Sequence, residues 1–349
     1  MVALSAADAL SPAIQRTQTF LFRPFRWGTF LKLCLVAIVT EGIGANFNLS
    51  HAGHHGGPVS GAPMHPHFAL TPPWIALIVA ASLAVLLIGF VILYLVTRLR
   101  FAFFHCLIHN VREIRPGWHL YRSQATRFFW LNVVVGLCFL LIAGFIALLF
   151  GTGIFRLVRQ SQATGHLDLG LLLTLVLPLI PIALLLALAA FITDLVLRDW
   201  MLPHYALENA TARAAWAAVW ARIRAEKGGF FAYALLRVIV PIMAVIALAI
   251  VLFFPSLVLA GLVALIEVAI HATFAHATGA SALTGVLLQV FFGLIAFGLA
   301  LVIALSLGGP LSTAVREYAL LFYGGRYPLL GNILFPPPPG VSIPAPGTT

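Results

Sequence analysis

Charge is what this chain has least of. Asp, Glu, Lys and Arg make up 9% of its 349 residues, against about 25% in an ordinary soluble domain, which needs solvated groups over its whole surface. That deficit excludes a water-soluble globule of this size. A disordered chain is excluded too, because its composition would run the other way. Cysteine is scarce: Cys34, Cys106 and Cys138 are scattered, with neither a disulfide framework nor a CxxC spacing for zinc, and they read as small buried hydrophobes. Catalytic fingerprints are missing as well. There is no GxSxG, HExxH, P-loop or dinucleotide motif, so no cofactor is implied.

What the chain does have is apolar length. Apolar residues make up 62% of it, and the mean hydropathy is +1.05. The runs continue for twenty or more residues without the alternation of a membrane β-barrel strand. The expected fold is therefore all-α, a polytopic helical membrane protein. About 20 apolar residues cross some 30 Å of hydrocarbon, and six spans are expected near 29–46, 75–96, 129–150, 169–196, 231–254 and 283–307. Ser256–Ile270, after Pro255, is left as a re-entrant piece, an interfacial helix or a seventh span. No cleavable signal pattern precedes the first run, and the N-terminus is expected to be retained.

The net charge of +10 would suggest nucleic acid for a soluble protein. Here the basic residues flank the apolar runs, so no nucleic acid partner is expected; they read as topology signals and as contacts to anionic lipid headgroups. With six spans and a cytoplasmic N-terminus, every Lys and Arg except Arg156 and Arg159 lies on the inside. A seventh span would move Arg316 and Arg326 outside, so six is preferred. The domain plan is a cytoplasmic N-terminus with an interfacial helix (1–28), a six-helix membrane domain (29–332) and a Pro-rich, polyproline-type tail (333–349). Both termini face the cytoplasm.

A weak repeat runs through this plan at roughly 100-residue spacing. An amphipathic stretch, a break and an apolar run appear as AIQRTQTFLFRPFRWGTFLKLCLVAI, GWHLYRSQATRFFWLNVVVGL and AAWAAVWARIRAEKGGFFAYALLRVIVPI, and AVREYALLFYGGRYPLL is a truncated fourth copy. Ile14, Trp118, Trp216 and Val315 fall at matching places, as do Lys32, Asn132 and Arg237, one polar residue entering each odd-numbered span. The expected unit is an interfacial helix followed by a two-helix hairpin, used three times in one orientation. SPAIQRTQTFLFRPFRWGTFLKL and RDWMLPHYALENATARAAWAAVWARIRAEKGGFFAYALLR resemble an uncharacterised family of bacterial polytopic membrane proteins. That family is in turn similar to the membrane domain fused to some glycerophosphoryl diester phosphodiesterases. The resemblance implies a six-helix bundle in the bacterial inner membrane and no established activity; the phosphodiesterase catalytic domain has no counterpart in this chain.

Three groups of residues bear on chemistry. His51, His54, His55, His65 and His67 lie on a Gly/Pro-rich outside loop where imidazoles can capture Zn(II), Cu(II) or Ni(II), although no Cys, Asp or Glu joins them. Asp199, His204 and Glu208 make a polar junction after span four, a weak catalytic candidate for lipid-headgroup chemistry. Lys32, Glu41, Asn132, Arg237 and Glu267 are the intramembrane polar candidates, with Glu41 and Glu267 expected at the outside ends of spans one and five. The expected function is a non-enzymatic scaffold or a conduit for a small or lipidic molecule. The alternatives are an enzyme or enzyme accessory acting on lipid headgroups, and metal handling through the His-rich loop. Partner subunits, whether a second copy or another membrane protein, are left open.

Overall fold

The computed structural model describes residues 4–42, 72–164, 169–274 and 279–336, and among these every regular element is helical. In chain order they are α1 (Leu10–Phe22), α2 (Trp27–Gly42), α3 (Pro72–His109), α4 (Ile114–Leu120), α5 (Arg122–Thr164), α6 (Leu169–Leu195), a π-helical turn (Val196–Met201), α7 (Leu202–Leu207), α8 (Ala212–Ala225), α9 (Lys227–Phe274), α10 (Ala280–Gly324) and α11 (Pro328–Leu334). Five of these helices are long and apolar enough to cross a membrane. They contain the five expected spans from 75–96 onward. The expected first span falls on α2, which is 16 residues long, about 24 Å, and its residues 43–46 lie outside the described set.

The helices run well past the expected spans. Hydropathy marks only the stretch that prefers lipid, whereas a helix continues until its backbone is broken; the flank of α3 contains no breaker, and α10 runs on through Gly308, Gly309 and Pro310. Pro255 does not end the helix that holds the fifth expected span either. α9 runs for 48 residues with Pro241 and Pro255 inside it, so Ser256–Ile270 is neither a separate span nor a re-entrant piece but the continuation of α9. A proline removes one helical hydrogen bond, and local adjustment can re-satisfy the freed carbonyl in a membrane helix.

The chain divides into two compact units. The first comprises residues 1–41, 106–112 and 220–349. Its frame is the antiparallel pair α9 and α10, joined where Tyr233 stacks on Tyr318 and Phe322 at 5.1 and 4.5 Å between centroids. α1 lies on α10 through a stripe of Ala9, Ala13, Thr17, Phe20 and Leu21, all buried, at the spacing of one helix face. α2 meets α10 where Gly309 has no side chain: a Cβ there would come within 2.6 Å of the Cys34 Cα. Arg112 closes the corner between α1 and α2 by donating to the carbonyls of Thr19, Arg23 and Pro24.

The second unit comprises residues 42–105 and 113–219. Phe128 is edge-on to Phe101 and Tyr205, at 5.6 and 5.1 Å, which ties α3, α5 and α7 together. α4 sits on α3 because Gly117 is bare; a Cβ there would lie 3.0 Å from the Ala102 Cα. Tyr121 is buried beside Phe101, and burial pushes its phenol above the ordinary value.

In both units the buried residues lie toward one end of the long helices, while their apolar middles are bare. Leu86, Leu140, Leu184 and Phe254 are each about two-thirds exposed or more. Contiguous apolar surface on this scale is untenable in water and ordinary against lipid tails. Cys34 and Cys106 are buried as expected, but Cys138 is exposed, because it lies on the bare middle of α5.

Candidate functional site

The first unit gathers charge where α1, α2, α9 and α10 meet. Arg237 donates from Nη2 to Glu41 Oε2 at 2.9 Å, and the Arg316 Nε lies 3.9 Å from the other carboxylate oxygen of Glu41. Arg16 pairs with Glu317 at 3.1 Å and donates to the Leu107 carbonyl at 2.7 Å. Glu317 is fully buried and Arg316 is 2% exposed. Three guanidiniums and two carboxylates are thus held by four helices in little solvent, where pairing is what makes ionised side chains tolerable.

Glu41, expected at the outside end of the first span, lies in the last turn of α2 and meets Arg237, which is ten residues into α9 from Lys227, about 15 Å along the axis. The helical stripe of α2, with Leu33, Cys34, Ala37, Thr40 and Glu41 buried, carries the carboxylate against α10, and an apolar count along the chain has no means of seeing which helix a stripe will meet.

Beside the cluster is a cavity of about 120 Å³ between α1, α9 and α10. Ala13 and Ile14 form one wall, Val240, Pro241 and Ala244 another, and Leu311 and Val315 a third. Arg237 is the one charged residue lining it. Lys32 is not among the lining residues; it lies on the exposed face of α2. Asn132 donates to the Phe128 carbonyl of its own helix at 2.9 Å. Glu267 is half-buried on α9.

In the second unit the π-helical turn Val196–Met201 is buried along its whole length. Arg198 reaches back to Asp194 at 3.5 Å and lies 3.7 Å from Asp199. His204 Nδ1 is 3.1 Å from Glu208 Oε2. Within the polar junction foreseen in the sequence, Asp199 lies beside Arg198 and His204 beside Glu208. His204 is 1% exposed. Arg127 donates to the side-chain carbonyl of Asn209.

A third bridge closes the C-terminal end of the first unit. Arg326 holds Glu226 with both arms of its guanidinium, at 2.6 and 2.7 Å, and stacks over Phe322 with its Cζ 3.9 Å from the ring centroid. This hydrogen-bonded pairing holds the Glu226 carboxyl below the ordinary carboxylate range, against the opposing effect of desolvation. Glu226 and Arg326 occupy the breaks of the third and fourth sequence copies. The fourth copy is not an interfacial helix, however: Val315–Tyr323 is the buried end of α10.

Arg16 and Arg316 read in the sequence as topology signals, and Glu317 carries no signal of its own beside them. What the sequence shows of them is the doublet Arg316-Glu317. The five loop histidines, His51 to His67, lie outside the described residues. Among the described residues no group of three or more His, Cys, Asp or Glu is placed to hold a metal ion.

The family of unknown function DUF7544 matches residues 4–333, nearly the whole chain, and the protein belongs to that family. The match carries no link to the glycerophosphoryl diester phosphodiesterases. No curated protein and no solved structure matches the chain.

Proposed function

We propose that this DUF7544 protein is a non-enzymatic integral protein of the bacterial inner membrane, a scaffold or a conduit for a small or lipidic molecule. The observation that carries this reading is the use made of the carboxylates. Glu41, Glu226 and Glu317 each bridge to an arginine distant in sequence, Asp194 and Asp199 pair with Arg198 within one helical segment, and Glu208 lies against His204 one turn away. Six of the ten acidic residues are thus engaged in structure, three of them between helices. A general base or a nucleophile has to be available to a substrate.

The membrane placement rests on charge spacing. Arg127 to Arg156 on α5 spans 29 residues and Arg237 to Glu267 on α9 spans 30, about 44–45 Å at the helical rise. That is the thickness of a bilayer with its headgroups. Arg326 also donates to the Leu4 carbonyl at 3.0 Å, which supports both chain ends lying on one face. With five long apolar helices, an even number of crossings then requires a sixth between α1 and α3. The positive-inside bias makes that face cytoplasmic and exposes its arginines to anionic headgroups.

The three-unit repeat is part of the proposal. Its support is the recurrence of a short helix followed by two longer ones (α1–α3, α4–α6 and α8–α10). A buried arginine also recurs toward the same end of the second long helix or just beyond it: Arg100, Arg198 and Arg316.

Purified protein, incubated with phospholipids and with glycerophosphodiesters, is expected to release no headgroup product. Turnover that disappears in both His204→Ala and Glu208→Gln would replace this reading with the headgroup enzyme. Reporter fusions placing the C-terminus in the periplasm would overturn the topology.

A further inference from the structure

We propose that one anionic phospholipid lies along α5 in the second unit, with its phosphate between Arg122 and Arg127 and an acyl chain over Trp130 and Val134. The inference deepens the lipidic side of the proposed function and rests on the membrane placement given there.

Three observations carry it. The first is an open groove of about 500 Å³ at the elbow between α4 and α5, lined by His119, Leu120, Arg122, Ser123, Thr126 and Arg127. On the helix Arg122 and Arg127 flank Ser123 and Thr126, and Arg122, Ser123 and Arg127 are exposed. Two guanidiniums and the Ser123 hydroxyl thus border one recess, with no carboxylate among its lining residues.

The second is availability. Among the described residues the side chains of Arg122 and Ser123 make no hydrogen bond or ion pair. Arg127 gives one nitrogen, Nη2, to the side chain of Asn209, which steadies the guanidinium and leaves Nε and Nη1 for a ligand. Glu208, next to Asn209, is turned to His204 at 3.1 Å. Arginine matches phosphate oxygens with its planar fork, and a zwitterionic headgroup would bring its own cation against two arginines.

The third is what lies deeper. Ser123, Arg127, Trp130 and Val134 follow at intervals of four, three and four residues, one face of α5. Below Arg127 this face borders a second groove, of about 350 Å³ and predominantly apolar, with Trp130, Leu131 and Val134 on one side and Tyr205 and Ala212 on the other. Val134 is seven residues from Arg127, about 10 Å toward the bilayer centre. Tryptophan suits the boundary between headgroups and chains. An anion site above hydrocarbon is the order of groups in a phospholipid, whereas a free phosphate would use the upper groove alone.

The test uses the full chain, delipidated in detergent and titrated with phosphatidylglycerol, with phosphatidylcholine of identical chains, or with inorganic phosphate. Native mass spectrometry reads the stoichiometry and thermal unfolding reads the stabilisation. One phosphatidylglycerol is expected to be retained per chain, with an apparent affinity at least tenfold above that for phosphatidylcholine. Arg122→Gln removes a charge that holds no other part of the fold and is expected to cut that preference at least threefold, while the lipid-free protein melts as before. Ala212→Phe fills the lower groove and is expected to abolish the bound lipid. Equal retention of both lipids by the wild type, or undiminished phosphatidylglycerol binding in either variant, overturns the proposal. Stabilisation by inorganic phosphate equal to that by phosphatidylglycerol overturns it as well, in favour of a free anion. If Ala212→Phe does not fold, the Arg122→Gln arm decides alone. Lipid retention and headgroup turnover are separate readouts, so failure here leaves the scaffold reading standing, and turnover there leaves this site intact.

Discussion

Glu41, in the last turn of α2, and Arg237, in the third turn of α9, meet at 2.9 Å across 196 residues of sequence. With side chains 7% and 8% exposed, the pair ties the first helices of the chain to the hairpin of α9 and α10. Removing one member of such a pair strands the other charge, at a cost of about 3–5 kcal/mol. Arg237→Met and Glu41→Gln are each expected to destabilise by that order, Glu41→Gln the more because Arg316 also faces the carboxylate at 3.9 Å. The double variant should show a coupling energy of at least about 1 kcal/mol in mixed-micelle unfolding titrations. Strict additivity would mean that the two side chains do not meet.

The bridge between Glu226 and Arg326 gives a pH dependence with a definite sign. The folded carboxyl binds its proton less readily than the unfolded one, so stability rises with pH across that interval. The contribution is complete above the unfolded carboxylate range, about 4.3, and is lost as pH falls through the lowered folded value. The Glu226 side chain is 46% exposed, which limits the effect to at most about 1 kcal/mol. The gap in melting temperature between wild type and Glu226→Gln should be constant near neutrality and close in acid. A gap that widens on acidification would reverse the assignment.

Asn110 and Asn209 end their helical segments with φ of +54° at both positions, a conformation that asparagine tolerates and β-branched residues resist. Asn110→Val is expected to cost at least about 1 kcal/mol and Asn110→Gly only a few tenths. Asn209→Gly should cost more than Asn110→Gly, because it also removes the acceptor of the Arg127 hydrogen bond. Melting temperatures of these three variants test this order.

Gly309 permits the contact between α2 and α10, so even Gly309→Ala has to push Cys34 away. Cys34 is fully buried, and displacement of α2 exposes its thiol. In a Cys138→Ser background, which removes the exposed thiol, maleimide labelling of Cys34 is expected to rise severalfold in Gly309→Leu, with a lower melting temperature. Labelling that stays at the wild-type rate would separate the two helices at that point.

Much of the architecture was legible in one dimension. The long helices of α3, α5, α6, α9 and α10 follow from uninterrupted apolar runs, and the short helices α1 and α8 from their amphipathic stretches. Pro255 misled because proline breaks a helix in water, where an open turn can be solvated, whereas in lipid the unbroken helix is the cheaper way to satisfy the backbone. Arg316 misled for a different reason. A cation next to an apolar run has the same local signature whether it faces headgroups or a carboxylate on another helix, and Glu41, its partner, lies 275 positions away. The polar junction was partly legible: His204 and Glu208 are one helical turn apart, and an i, i+4 pair meets by local geometry.

Composition and the order of apolar runs committed this chain to lipid, because transfer free energy is summed residue by residue and needs no knowledge of neighbours. The pairing of Arg237 with Glu41 and of Arg16 with Glu317, and the cavity left beneath α1, came only with folding. They depend on which helix faces are pressed together. That is a property of pairs distant in sequence, and a bare guanidinium has no preference among carboxylates until packing brings one within reach.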